Sequence, residues 1–595
     1  MINGYNGKGL EIDLSSGKII EFTIDDEIIK KYIGGRGLGV FFLTKYFSPN
    51  ENPLSENSPL IITAGGLTGT RTPTSGRFSI TFKSPLTGTI TSSNSGGFWG
   101  VNFRKTGYDA LIIRGISETP AYLYISEGKA EIVKASDLWG RTLLELTDTL
   151  RNRYTKSVKV LGIGPAGENQ GLISAIMNDY SRAVARGGPG ALMGSKKLKA
   201  IVVDGRKKFS PIKQELYEAG IQQANKLLKS MPVTSKALPQ LGTIGLLKLI
   251  NDHDMLPHKN FQDVYHKPEN IEKISGELLR KKILLSKRGC FNCTITCTRK
   301  TKVGEKVGEG PEYETTALMG ANLDIYELEQ IALANYICND YGMDTISFGN
   351  TVGLAMELFE KGYLSRKDTG GIDLRFGKNE ILQKLAKMTA LNEGFGKFIG
   401  EGAKRLSERF GVSALAMVVK GLELPGYEPR ASYTQALGYA TSPRGGCHLK
   451  GGYLVTLGFF GGSREVNRFL IDTAAGHVVN EQDSGCVADS LGICRFSFYG
   501  FGENELARIY TGYTGIETTP EELKFKAQMI QNIERRFNIK AGFTKKEDTL
   551  PERMFNEKIM IAGEPRAIDK ESQFEKMLKK YYEIRGWDKN GYPKD

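Results

Sequence analysis

Three cysteines fall within eight residues, as Cys290, Cys293 and Cys297 in GCFNCTITC, and a fourth candidate, Cys494, ends the run ADSLGIC. Thiolates are soft ligands for iron and zinc. A Cys-x-x-Cys-x-x-x-Cys run can wrap one metal centre while a distant cysteine closes the fourth position. A structural zinc site would normally show a second Cys-x-x-Cys or a His-x-x-x-His, and neither accompanies this run. A redox-active pair would leave Cys297 without a role. Ordinary buried thiols account poorly for three in so short a stretch. A 4Fe-4S cluster explains the spacing best. Seven cysteines in 595 residues are also too few and too uneven for a disulfide-stapled secreted protein, which points to a reduced compartment.

Proton chemistry has its own candidates. Glu312 and Glu314 lie two residues apart in GEGPEYETTALMG, a spacing that cannot put both on one helix face, so one is expected to point at a cofactor. His448, one of five histidines, sits in the glycine-rich PRGGCHLKGG. The segments GGLTGTRTPTSGRF, TSSNSGGFWG and SRAVARGGPGALMGSKKLKA bring small residues, hydroxyls and arginines together. Backbone N–H groups in such loops cradle anions and Arg forks bind them bidentately, which suits a large phosphate-bearing cofactor. The run GIGPAG, Gly162 to Gly167, satisfies G-x-G-x-x-G but opens no long helix and leads into more glycine, so it reads as a tight turn.

The elements that must position these residues change along the chain. Residues 1–210 are rich in Gly, Thr, Ser and β-branched residues, and LIITAGG, FSITF, ALIIRG, AYLYIS, VKVLGIG and KAIVVDG read as strands between glycine turns. From 211 to 420 the pattern becomes amphipathic helix, as in YELEQIALANYICNDYGM, and the cysteine run falls on a loop after a basic helix. Residues 421–595 mix glycine-rich loops with further helices. The fold class is therefore α+β: a β-sheet-rich N-terminal domain followed by two mainly α-helical domains. The length allows several domains with real cores. No apolar run is long enough to span a membrane and no leader is evident, so a cytoplasmic protein is expected. Lys plus Arg exceed Asp plus Glu by 13. The charges are interspersed and lack an aromatic-interleaved basic module, which argues against nucleic acid and leaves an acidic protein partner as a fit.

The glycine-dense segments, the Cys-x-x-Cys-x-x-x-Cys run, GPEYET, NDYGMD and DSLGIC, in this order over essentially the whole chain, resemble the tungsten-containing aldehyde:ferredoxin oxidoreductase family. The resemblance implies a tungsten, or molybdenum, held by two pterins whose phosphates are bridged by magnesium, with a 4Fe-4S cluster beside it. It implies that Cys290, Cys293, Cys297 and Cys494 ligate the cluster, Cys494 rather than Cys486 because it ends Asp489-Ser-Leu-Gly-Ile-Cys494. That motif also implies Asp489, with Ile493, at one pterin. Its counterpart reads Asn339-Asp340-Tyr341-Gly342-Met343-Asp344, in which Asn339 replaces the family's first acid and Gly342 and Asp344 match. An amide oxygen can still accept a hydrogen bond there. Arg77, Asn94, Gly96, Arg182 and Ala183 match positions near the pterins, Arg77 between cluster and pterin, and Arg444 and Lys450 are implied contacts of a pterin or its phosphate.

The resemblance also selects Glu314 over Glu312 as general base and makes His448 the substrate-side donor. The implied reaction oxidises an aldehyde to the carboxylic acid and passes electrons through the cluster to ferredoxin or a ferredoxin-like small subunit. A relative working in the reductive direction on an acid or acyl thioester, and a non-catalytic iron–sulfur carrier, are the alternatives. The retained glycine loops, Glu314 and His448 speak against the carrier. Some family members bridge subunits with iron held by Glu and His. Glu327 and Glu329 are present in YELEQIAL, but no histidine lies between His266 and His448, so a homodimer is expected without that iron.

Overall fold

The computed structural model of the chain describes residues 2–455 and 467–594. Its first two hundred residues form two six-stranded sheets. The first contains β1 (Lys8–Asp13), β2 (Lys18–Thr23), β3 (Leu60–Ala64), β4 (Phe78–Lys83), β5 (Ile90–Ser95) and β6 (Ala110–Arg114), in the order β2-β1-β6-β3-β4-β5. The second contains β7 (Ala121–Ser126), β8 (Lys129–Lys134), β9 (Lys159–Gly162), β10 (Ile176–Asn178), β11 (Arg182–Val184) and β12 (Leu198–Asp204), in the order β11-β10-β9-β12-β7-β8. Most pairings are antiparallel; β1 with β6 and β7 with β12 are parallel.

Strand alternation explains how the sheets stack. Leu60, Ile62, Leu111 and Ile113 face the second sheet and meet Leu123, Ile125, Leu161, Ile201 and Val203. Their neighbours Ile61 and Ile112 face the other way, onto Val40, Leu43, Ile509 and Ile530 of surrounding helices. On the far side Tyr122, Val160, Ala200 and Val202 pack on Leu143, Leu146 and Leu150 of the helix Leu143–Arg153. Four layers result, and β3 and β4 are buried along their whole length because both faces are covered. The expected α+β class is the one observed, with helices predominating after the last strand of the second sheet.

The edges β5 and β11 lie side by side, and beside them Asn178 Nδ2 of β10 donates to Ser95 Oγ of β5 at 2.8 Å. Opposite this seam two helices end in the same way. Leu328–Tyr341 is closed by Gly342 at φ 79° and Ile471–Leu491 by Gly492 at φ 77°. In each, the residue after the glycine donates back five positions, Met343 to the Cys338 carbonyl and Ile493 to the Ala488 carbonyl, a Schellman closure that requires a left-handed residue. Asn339 and Asp489 each stand three residues before the glycine. The twin motifs are thus helix C-termini aimed at one place.

This makes a stability prediction. Gly492→Ala should cost roughly 1–3 kcal/mol from backbone strain and more from steric overlap, because a Cβ would collide with Thr68 Oγ1 and approach the Arg77 carbonyl at 2.9 Å. The control Gly476→Ala lies mid-helix with open space around its Cβ and should stabilise slightly. Thermal unfolding checks both, and equal melting temperatures for the two variants would contradict this account of the cap.

The cysteine run lies in a hairpin. The basic helix Gly276–Lys282 is followed by β13 (Leu284–Arg288), which pairs antiparallel with β14 (Thr298–Val303), Arg288 opposite Thr298. Cys290 to Cys297 form the connection, so a short strand separates the helix from the cysteines; Leu284–Arg288 ends in Ser-Lys-Arg yet finds a ladder partner in β14. A third strand, β15 (Lys306–Glu309), leads towards Glu312. GIGPAG forms a turn ending in a four-residue helix, Pro165–Glu168. Gly164 lets that turn press against the Tyr341 carbonyl, where a Cβ would overlap, so its glycine supports the Gly342 cap. Among the described residues no helix is long and apolar enough to cross a membrane.

Candidate active site

A cavity of about 380 Å³ opens where the sheet edges face the two helix ends, within the size range of cofactor pockets. It brings together Arg77, Asn94, Gly96, Arg182, Ala183, Glu314, Asn339, Asp344, Arg444, His448, Lys450 and Asp489, residues more than 400 positions apart at the extremes. Gly342 and Ile493 stand behind it as the cap and the residue following the other cap.

Asp489 is held firmly. One carboxylate oxygen accepts from Asn94 Nδ2 and the other from Lys450 Nζ, with Arg36 Nη1 at 3.7 Å. Burial would raise this carboxyl, but Lys450 and Arg36 outweigh it and hold it below the usual range. It therefore stays ionised and retains lone pairs for a further donor. At the twin position Asn339 donates to the Glu309 carbonyl at 3.2 Å, leaving its amide oxygen as acceptor. Asp344 caps the next helix, accepting from the Ile346 N–H at 3.0 Å, and lies 3.4 Å from Arg186 Nε.

Glu314 lies in the first turn of the helix Tyr313–Met319. Its Oε2 accepts from the Gly426 N–H at 2.8 Å, and Tyr313 stacks on Tyr427 at 4.8 Å while donating to the Gly426 carbonyl at 2.5 Å, so the 425–427 segment locks the helix start. Its Oε1 is buried, without a hydrogen-bond partner among the described residues, and 3.4 Å from His448 Nδ1, which is equally unpartnered. Burial pushes the Glu314 carboxyl up to about 8, against the Gly426 N–H and Arg186, which pull it down. Burial, helped by Arg186 and Arg444, lowers the His448 imidazole to about 3. At neutral pH the contact therefore joins a mostly protonated carboxyl and a neutral ring, and is no ion pair.

Both carboxylates of GPEYET line the cavity, contrary to the helix-face expectation. Glu312 precedes the helix with extended backbone (φ −84°, ψ 170°), so helical periodicity does not govern it. It accepts from Thr243 Oγ1, towards the cysteine end, while Glu314 faces His448.

The four cysteines Cys290, Cys293, Cys297 and Cys494 line one small adjoining void together with Arg77 and Arg182. All are free thiols. Among the described residues no three His, Cys, Asp or Glu side chains converge on a single-ion site. Burial raises Cys293 to about 11 and holds Cys297 well above the ordinary thiol value, so ligation would have to displace protons. Gly96 is part of the cradle, since a Cβ there would stand 2.7 Å from Cys290 Sγ. Arg77 spans the two spaces, donating to Asn94 Oδ1 at 2.8 Å and to Cys494 Sγ at 3.5 Å. Burial would depress its guanidinium, yet the sulfurs of Cys494, Cys290 and Cys297 raise it.

Two residues escaped the sequence. Arg186 leaves Nε and Nη1 buried without hydrogen bonds among the described residues while Nη2 donates to the Glu423 carbonyl at 2.5 Å. Only the shared segment with Arg182 hinted at it. Cys447 accepts from Arg444 Nη2 at 2.9 Å and from the Lys450 N–H at 3.3 Å. Burial would raise this thiol, but Arg444 and Arg186 draw it below its ordinary value. Buried cations with unused donors, beside thiols arranged around a void, fit an anionic cofactor and a polynuclear cluster.

Family models for the aldehyde ferredoxin oxidoreductase N-terminal domain and domains 2 and 3 match residues 9–205 and 219–595. The chain is 40% identical to the tungsten-containing aldehyde ferredoxin oxidoreductase of Pyrococcus abyssi, over 99% of this chain and 97% of that protein. The enzyme of the same name from Pyrococcus furiosus is also 40% identical, with the same coverage. Among solved structures, the active-site complex BamBC of benzoyl coenzyme A reductase superimposes with a TM-score of 0.87 at 23% identity, covering 100% of this chain and 96% of the other, a likeness of fold.

Proposed function

This chain belongs to the aldehyde ferredoxin oxidoreductase family, and from that premise we propose that it oxidises aldehydes to carboxylic acids at a tungsten bis-pterin centre and delivers the electrons to ferredoxin. The observation that carries this is the juxtaposition of the Glu314–His448 contact with four cysteines, bridged by Arg77. When bound, the metallopterin supplies the two-electron oxidation and a 4Fe-4S cluster the one-electron exit that side chains cannot provide.

Cys290, Cys293, Cys297 and Cys494 would hold the cluster. Asp489 and Asn339, at the two helix ends, would each accept from one pterin, and Arg77, Arg182, Arg186, Arg444 and Lys450 would offset the negative charge of the pterin phosphates. Glu314 takes a proton from water or from the hydrated aldehyde. Once protonated at Oε1 it can donate to His448 Nδ1, which fixes the imidazole as the Nε2–H tautomer, a donor for the oxygen on which charge develops. Burial keeps His448 neutral, so it donates without delivering its own proton.

A pH prediction follows. The base form of Glu314 exists above its raised value, so kcat/KM should climb with pH through an inflexion near 8. Glu314→Gln should lose that inflexion. A wild-type profile flat across it would remove Glu314 as the base. The reaction itself is tested by an anoxic panel of aldehydes with a viologen acceptor; stoichiometric acid formation supports the proposal, and no aldehyde-dependent dye reduction by metal-loaded protein defeats it.

A further inference from the structure

Beside the cysteine void the surface carries two aromatic rings. Phe98, 40% exposed, meets the partly exposed Phe291 edge-on at 6.4 Å. Phe291 lies between Cys290 and Cys293, and its N–H donates to the Gly97 carbonyl at 3.2 Å. That bond fixes the cysteine loop to the Gly96–Gly97 turn. An exposed aromatic pair costs solvation, and the local fold has no need of it.

Cations rim the pair. Lys105 Nζ lies 5.9 Å from the Phe291 ring and Lys159 Nζ 5.8 Å from the Phe98 ring. Lys287 is exposed on the strand entering the loop. Among the described residues none of the three has a carboxylate within 4.0 Å. Arg71, whose carbonyl accepts from Asn292 Nδ2 in the same loop, and Arg288 add exposed guanidinium groups. The carboxylates nearby are engaged: Glu218 with Arg71, Glu309 with Arg182 and Arg288, and Asp179 with the Phe98 N–H.

We propose that this face, Phe98 and Phe291 with Lys105 and Lys159 beside the rings and Lys287 on the strand that enters the loop, is the docking surface for a small acidic iron–sulfur protein that takes electrons one at a time. An apolar centre with a charged rim suits a brief, electrostatically steered encounter, and the cysteine loop puts the exit directly beneath it. A second copy of this chain is a poor occupant, since it would set cation against cation on a protein of net charge +13. The proposal rests on the function proposed above.

The test is steady-state aldehyde oxidation by the metal-loaded enzyme, with an acidic ferredoxin or benzyl viologen as acceptor. Changing Lys105, Lys159 and Lys287 together to Glu should lower kcat/KM for ferredoxin by roughly 10- to 100-fold at low salt and leave the viologen rate unchanged. Wild-type kcat/KM for ferredoxin should fall as salt rises. Should the triple variant lose its metals, Lys287→Glu and Phe98→Ser, judged singly, should show the same selective loss. Unchanged ferredoxin kinetics in variants with intact viologen activity, or salt-independent ferredoxin kinetics in the wild type, overturns the docking surface. Absence of viologen-linked oxidation in the wild type instead overturns the underlying function, so the two failures are distinguishable.

Discussion

Glu314→Gln is expected to lower kcat/KM for aldehyde oxidation by roughly 10²- to 10⁴-fold, the usual worth of a positioned general base, while tungsten and iron contents stay at wild-type values. The amide keeps the shape and can still accept from the Gly426 N–H, so the 425–427 contact survives and the loss reports on proton transfer. Its NH2 then takes the place 3.4 Å from His448 Nδ1 and can donate to it, so the imidazole keeps its tautomer, but the amide cannot take up a proton there. Glu312→Gln, at the cysteine end beside Thr243, should be much milder in rate. If the two variants were equally impaired with full metal content, the division of labour between these carboxylates would be wrong.

The second large effect is expected at the cysteines. Cys297→Ser should abolish stoichiometric iron binding and reduce turnover with any acceptor by at least about 10²-fold, since even outer-shell changes at metal sites cost 10–100-fold. Burial is the largest cause raising the Cys297 thiol, and a hydroxyl there would be a poor ligand. Cys486→Ser is the informative comparison. Cys486 is buried beside Arg36 and absent from the small void, so its loss should leave iron content unchanged. Iron retained in Cys297→Ser and lost in Cys486→Ser would reverse the ligand assignment.

What could be read in advance depended on whether the cause was local. Cys290, Cys293 and Cys297 are ligand types at ligand spacing within one loop. The strands LIITA and KAIVVD announce themselves as near-continuous apolar runs covered on both faces, and FSITFK by its alternation of aromatic and aliphatic with polar residues. By contrast β5, ITSSNS, is nearly all buried yet polar, since Ser93, Asn94 and Ser95 form cavity wall rather than core. No periodicity reveals that. Gly342 and Gly492 were legible as motif members, but their shared cause, two helix C-termini closing on one cavity, exists only in three dimensions. Arg186 and Cys447 carry no signal beyond sharing segments with Arg182 and His448, because their roles depend on the contacts with Glu423, Arg444 and Lys450 that folding makes. Glu312 was misjudged because helical faces do not apply to a residue preceding the helix.

The central claim is that one cavity joins a tungsten–pterin centre to a cluster held by four cysteines. Elemental analysis of protein purified without oxygen tests it most directly. The account predicts about one tungsten and about four irons per chain, with iron lost from Cys297→Ser and kept in Cys486→Ser. Iron without tungsten or molybdenum, or zinc in place of iron, would contradict it.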